Sequence, residues 1–163
     1  MATTKKQLLV TVCVATTMVG AYVADFNETH LFNPRWPPHA RFHDAQTMLL
    51  ATALGACALL YTWRRDPKAT RLRTAILFAS LYWISNTGSI TFPGTAWTDP
   101  ERAGQGQVLG LPLALVIGVV QLGLLAVALV MPRLHGKGPR PCLCQSRLRI
   151  APTPKSILHP RNG

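Results

Sequence analysis

Apolar residues fall into four long blocks separated by shorter polar segments. The first runs from about Gln7 to Ala24, the second from about Ala45 to Trp63, the third from Leu72 to Phe92 and the fourth from Val108 to Met131. Each approaches the ~20 residues that a helix needs to cross about 30 Å of hydrocarbon. The pattern predicts an all-α, four-helix transmembrane bundle over residues 1–131, with helices at about 7–24, 45–63, 72–92 and 108–131. Gly20, Gly55, Gly88, Gly118 and Gly123 lie inside the blocks, as glycine does in membrane helices that pack closely, and Ala51 with Gly55 forms a small-xxx-small pair. Lys5 and Lys6 before block one also resemble the start of a secretory signal peptide. Cleavage after Ala24 would put bulky Tyr22 where a small residue belongs, so an uncleaved first span is the expectation.

Charge orients the bundle. The chain of 163 residues is 48% hydrophobic and carries a net charge of +11. Lys5 and Lys6, then Arg64, Arg65, Lys68, Arg71 and Arg73, then seven basic residues from Arg133 onward fall on one side of the membrane, and only Arg35, Arg41 and Arg102 on the other. Lysine and arginine are retained in the cytoplasm near span ends, so both termini are predicted cytoplasmic, N-in and C-in. Residues 132–163 hold six prolines among basic residues without a sustained apolar period. That composition predicts a disordered tail resting on anionic lipid headgroups. The basic clusters are juxtamembrane rather than one face of a folded domain, which excludes nucleic acid as a partner. Cys13 and Cys57 read as buried apolar side chains. Cys142 and Cys144 in the tail read as inert thiols or palmitoylation sites, and no disulfide framework is readable.

Between blocks one and two, the segment from Asp25 to Asp44 holds three of the five histidines and three of the six acids. Pro37 and Pro38 suit an extended approach and a first helical turn, so the second helix starts near His39. His39 and His43 then stand one turn apart on a common face. Two imidazoles at that spacing can meet one ion or one substrate, and His30, Asp25 or Glu28 can complete the set. A helical His-Glu-x-x-His motif is lacking, so neither metal nor cofactor is assigned. The plainer alternative is that His39 and His43, Trp36 and Phe42 are interfacial residues and that Arg35 and Arg41 contact phosphates. Asn27-Glu28-Thr29 matches a glycosylation acceptor but lies too near the membrane boundary for modification to be expected.

In block three, Tyr82, Ser85, Asn86 and Ser89 share a helical face, which in lipid turns inward, either as interhelical hydrogen-bonding glue or as the wall of a site. Asn86 and Ser89 are expected level with Gln46 and Thr47, beneath the histidine loop. Together they suggest a cleft, apolar below and polar at its mouth, with Tyr82, Gln46, Trp36 and Arg41 also contacting the substrate. Gln121 is a lone polar residue near mid-membrane, and Gly104-Gln-Gly106 has no strand before it to make a phosphate loop.

The run Ala24-Asp25-x-Asn27-x-Thr29-His30-x-x-Asn33-Pro34-x-Trp36-x-Pro38-His39-Ala40-x-Phe42-His43 resembles the signature of a small, functionally uncharacterised four-span membrane family of bacteria and fungi. Its fungal members resemble accessory membrane proteins of natural-product pathways, which implies a role with a lipophilic metabolite. Two functions fit. One is a membrane-embedded isomerase, cyclase or transferase acting on a lipophilic small molecule such as a terpenoid or polyketide, with His39, His43, His30, Asp25 and Glu28 as acid–base candidates. The other is a non-catalytic accessory or scaffold subunit that docks other membrane-bound pathway enzymes. Either function resides in a lipid bilayer: an endomembrane such as the endoplasmic reticulum in a eukaryote, the plasma membrane in a bacterium. Transport is disfavoured, because no charged residue lies deep in a span and no inverted repeat is readable.

Overall fold

In the computed structural model, residues 4–64, 70–98, 102 and 104–131 are described. Four α-helices make up the bundle: α1 (Lys5–Asp25), α2 (Pro38–Trp63), α3 (Thr70–Gly88) and α4 (Leu113–Val130). Two of the starts have a local cause. Thr4 and Gln7 form a capping box, the Gln7 amide N–H donating to Thr4 Oγ1 at 3.2 Å and the Thr4 N–H to Gln7 Oε1 at 3.1 Å. Pro38 opens α2, where its missing N–H has no helical partner to lose.

Consecutive helices run antiparallel. At one end, Gln7 Nε2 of α1 donates to the Thr62 carbonyl at the end of α2 (3.0 Å), and Lys6 Nζ donates to the Leu129 carbonyl at the end of α4 (3.1 Å). The loop joining α1 to α2 and the segment joining α3 to α4 therefore share the opposite end, called here the loop end. Helix α2 packs along both α1 and α3, and α4 lies mainly on α3.

The packing is inverted relative to a water-soluble bundle. Ala51, Ala58, Ala75, Ala79 and Ala128 are buried, whereas Leu8, Val19, Val23, Leu49, Leu60, Leu77, Ile84, Val119 and Val130 face outward. Small residues let helix backbones approach, and large apolar side chains meet a surrounding that is itself apolar. Two glycines carry the closest approaches. A Cβ on Gly118 would lie 2.7 Å from the Thr87 methyl, and one on Gly55 would lie 2.5 Å from Met18 Cγ and Sδ. Few polar bonds cross the core: buried Trp83 Nε1 donates to Thr17 Oγ1 at 2.8 Å, tying α3 to α1, and Thr17 donates onward to the Cys13 carbonyl at 2.9 Å.

Helices α1, α2 and α4 are long and apolar enough to cross a membrane. Helix α3 does not meet that measure, because Arg71 and Arg73 stand in its first turn and Ser80, Ser85 and Asn86 further along. The element ends also differ from the hydropathy blocks. Helix α2 starts seven residues before Ala45, since charged and aromatic residues of the loop are wound into its first turns. Helix α3 stops at Gly88 and continues as a 3-10 turn over Ser89–Thr91, rather than running to Phe92. Helix α4 starts at Leu113 rather than Val108. Ahead of it, β1 (Gln107–Val108) pairs antiparallel with β2 (Leu111–Pro112) in a minimal hairpin around a turn in which Leu109 (φ 54) and Gly110 (φ 77) are both left-handed. The tail with Cys142 and Cys144, like Arg65 and Lys68, lies outside the described residues.

Candidate functional site

The loop between α1 and α2 is built by its own asparagines. Asn27 turns its amide back onto the end of α1, Nδ2 donating to the Ala24 carbonyl at 2.6 Å. Its Oδ1 accepts from the Thr29 amide (2.8 Å) and hydroxyl (2.5 Å). With its proton committed to Asn27, the Thr29 hydroxyl accepts from His30 Nδ1 at 2.8 Å. That bond fixes the neutral imidazole as the Nδ1–H tautomer and leaves Nε2 with the lone pair. The Trp36 ring meets His30 edge to face, centroids 5.3 Å apart. Asn33 is buried: its Nδ2 donates to the Thr29 carbonyl (3.3 Å), its Oδ1 accepts the Arg35 amide (3.0 Å), and its carbonyl accepts Arg41 Nη2 (2.7 Å). Arg41 thereby locks the loop to the first turn of α2.

Under this loop Asp25, His30, Asp44 and Tyr82 lie within electrostatic range: Asp44 and His30 act on Asp25, His30 acts on Asp44, and both carboxyls act on the Tyr82 hydroxyl. The four come from the end of α1, the loop, α2 and α3. Asp44 is only 9% exposed, and its Oδ2 accepts no hydrogen bond from the described residues; Asn86 Oδ1, one turn beyond Tyr82, is also buried without one among them. Below Tyr82 lies a narrow crevice between α1, α2 and α3, lined by Val14, Thr17, Ala51, Gly55 and Ala79 among others.

The candidate residues divide into two groups. His39 and His43 are exposed, with Nε2 atoms 3.1 Å apart, and His43 Nδ1 bonds Gln46 Oε1 at 3.0 Å. This trio lies on the face of α2 that turns away from Asp44, so His39, His43 and Gln46 do not join His30 and Asp25. Glu28 is exposed. Trp36, Arg41 and Asn86 are half-buried and Tyr82 is buried, while Ser85 and Ser89 are exposed, with Ser89 Oγ donating to the Ser85 carbonyl at 2.8 Å. The polar stripe of α3 is thus split between an inward edge, Tyr82 and Asn86, and an outward edge. Among the described residues, no group of three or more His, Cys, Asp or Glu is disposed to hold a metal ion.

Asp44 was missed in the sequence as a site residue, although a signal was present. Asp44, Met48, Ala51, Gly55, Ala58 and Thr62 recur at spacings of three and four and are all buried. An acid in phase with the small-residue face of a helix is carried inward by that face.

Helices with small residues inside and large apolar residues outside, capped by a structured polar loop, define an α-helical integral membrane protein. The chain belongs to a family of unknown function, DUF6640, whose model matches residues 9–140. No curated protein and no solved structure matches it.

Proposed function

We propose that this protein is a four-span, N-in and C-in membrane enzyme that performs acid–base chemistry, of the isomerase or cyclase type, on a lipophilic metabolite. The observation that carries the reading is the grouping of Asp25, His30, Asp44 and Tyr82 within electrostatic range under the loop, with a buried carboxylate oxygen of Asp44 that has no hydrogen-bond partner among the described residues. Two carboxyls and an imidazole held together at the rim of an apolar bundle can accept, hold and return a proton. His30 Nε2 is the proton-accepting atom. Asp25 and Asp44 stabilise the imidazolium that results, and the Tyr82 hydroxyl donates to oxygen on the substrate. Arg41 and Trp36 act by holding the loop over this junction.

The crevice has room for little more than a water molecule, about 10 Å³. In this reading the apolar body of the substrate therefore stays in lipid, and only its functional group reaches the junction. Membrane spanning by α3 is supported by its 19 residues, about 28 Å of helix. Its outward side chains Leu77, Leu81 and Ile84 are apolar, and Arg71 and Arg73 at its end can reach headgroups. The orientation rests on Lys5, Lys6, Arg64, Arg71 and Arg73 at the end opposite the loop.

Cells lacking the protein are expected to accumulate one lipid-soluble intermediate. Wild-type protein should clear it, whereas His30→Ala and Asp44→Asn, at equal protein level, should leave it at least tenfold elevated. Full clearance by both variants would overturn the assignment, and would favour a scaffold role if deletion of residues 133–163 then abolished it.

A further inference from the structure

His39 and His43 are left over from the acid–base residues, yet their side chains meet in a defined geometry on the surface of α2. Both lie in the first two turns of α2, where Pro37 and Pro38 fix the entry of the chain and the i, i+4 spacing brings the two rings edge to face. The Nε2 atoms point at each other across 3.1 Å, and the ring planes meet at 79°. Two imidazole nitrogens bound to one ion at ~2.05 Å are about 2.9 Å apart at a right angle and about 3.3 Å apart at the tetrahedral angle. The observed separation falls between these values. The surroundings complete the arrangement. Gln46 Oε1 can only accept, so His43 Nδ1 donates to it and the His43 Nε2 lone pair is turned toward His39. Phe42 lies parallel to the His39 ring, 6.2 Å between centroids, and limits its rotation. Orientation of a ligating imidazole by a partner on its other nitrogen is the usual support of a metal site.

We propose that His39 and His43 form a bis-imidazole site for a borderline divalent transition-metal ion, Cu²⁺ or Zn²⁺, on the exposed face of α2 at the loop end. The ion enters between the two Nε2 atoms, and the proton that His39 held on Nε2 passes through solvent to its Nδ1, so both imidazoles bind as neutral ligands. Two protein nitrogens leave the other coordination positions to water or to a group from outside the chain. Imidazole favours Cu²⁺ over Zn²⁺ and has little affinity for Mg²⁺ or Ca²⁺, which sets the order of binding. The site is independent of the acid–base junction, because the opposite face of α2 carries Asp44.

The test is a Cu²⁺ titration of the full-length protein in detergent, free of affinity tags and with its thiols alkylated so that cysteines do not compete. It is followed by calorimetry and by the nitrogen hyperfine pattern in electron paramagnetic resonance. Wild type is expected to bind one more equivalent of Cu²⁺ than His39→Ala/His43→Ala, with two imidazole nitrogens in its signal. Gln46→Ala is expected to weaken that equivalent about tenfold through loss of the orienting bond. Equal binding by wild type and the double variant would overturn the site. A loss in Asp44→Asn as large as in His43→Ala would also overturn it, by moving the ion to the carboxyl junction. His39 and His43 are exposed, so their replacement removes no core packing.

Discussion

At the scale of single residues, the bundle depends on a few polar atoms whose partners are set by packing. Trp83 and Thr17 form a buried bond between α3 and α1. In Thr17→Val the shape is kept and the indole N–H loses its acceptor, at a cost on the order of 1 kcal/mol. The expected outcome is a lower midpoint of denaturation by sodium dodecyl sulfate, followed by tryptophan fluorescence; an unchanged midpoint would mean that the bond contributes nothing. Neither residue was legible as a pair in the sequence, because hydropathy does not tell which tryptophan of a membrane helix turns inward. His30 and Asp25 were legible as chemistry, being the densest ionisable run in the chain. Their separation from His39 and His43 was not, since it depends on which side of α2 meets α1, and a 100° step per residue puts neighbours His43 and Asp44 on different faces.

Helices α1 to α4 were all legible from the apolar blocks, and their ends were not. Val108, Leu109 and Leu111 are apolar enough to be counted into the last span, yet Pro112 and the left-handed Leu109-Gly110 turn place them in a hairpin ahead of α4. Leu109 is 98% exposed, so its side chain serves no packing role within the chain. The start of α2 was readable only from Pro37 and Pro38, because charged residues hide a helical first turn from a hydropathy window. Element packing gives a second prediction. Gly118 seats α4 on Thr87, whose methyl cannot swing away while its hydroxyl donates to the Trp83 carbonyl at 2.6 Å. Gly118→Ala should therefore force α3 and α4 apart and cost about 1–3 kcal/mol, seen as a lower thermal aggregation temperature in detergent. Gly123→Ala, where an added Cβ meets nothing within 4 Å, is the control and should be neutral.

At the scale of the whole molecule, the two ends of the bundle differ in kind. One end gathers Lys5, Lys6, Arg64, Arg71 and Arg73, and the other holds the asparagine-knit loop with its carboxyl and imidazole junction. That polarity was legible from the distribution of charge, whereas the fold of the loop was not, because it is carried by amide bonds of Asn27 and Asn33 that have no periodic signature. The proposed arrangement, with the loop end on one side of the membrane and the basic end on the other, requires α3 to cross. The direct measurement is labelling of single cysteines, in an otherwise cysteine-free chain, by a membrane-impermeant maleimide applied to intact cells, or to sealed microsomes if the membrane is internal. Cysteine at Glu28 and at Thr95 should share one accessibility, and cysteine at Arg64 should show the opposite one. Equal accessibility of Arg64→Cys and Thr95→Cys would place both ends of α3 on one side of the membrane and contradict the account.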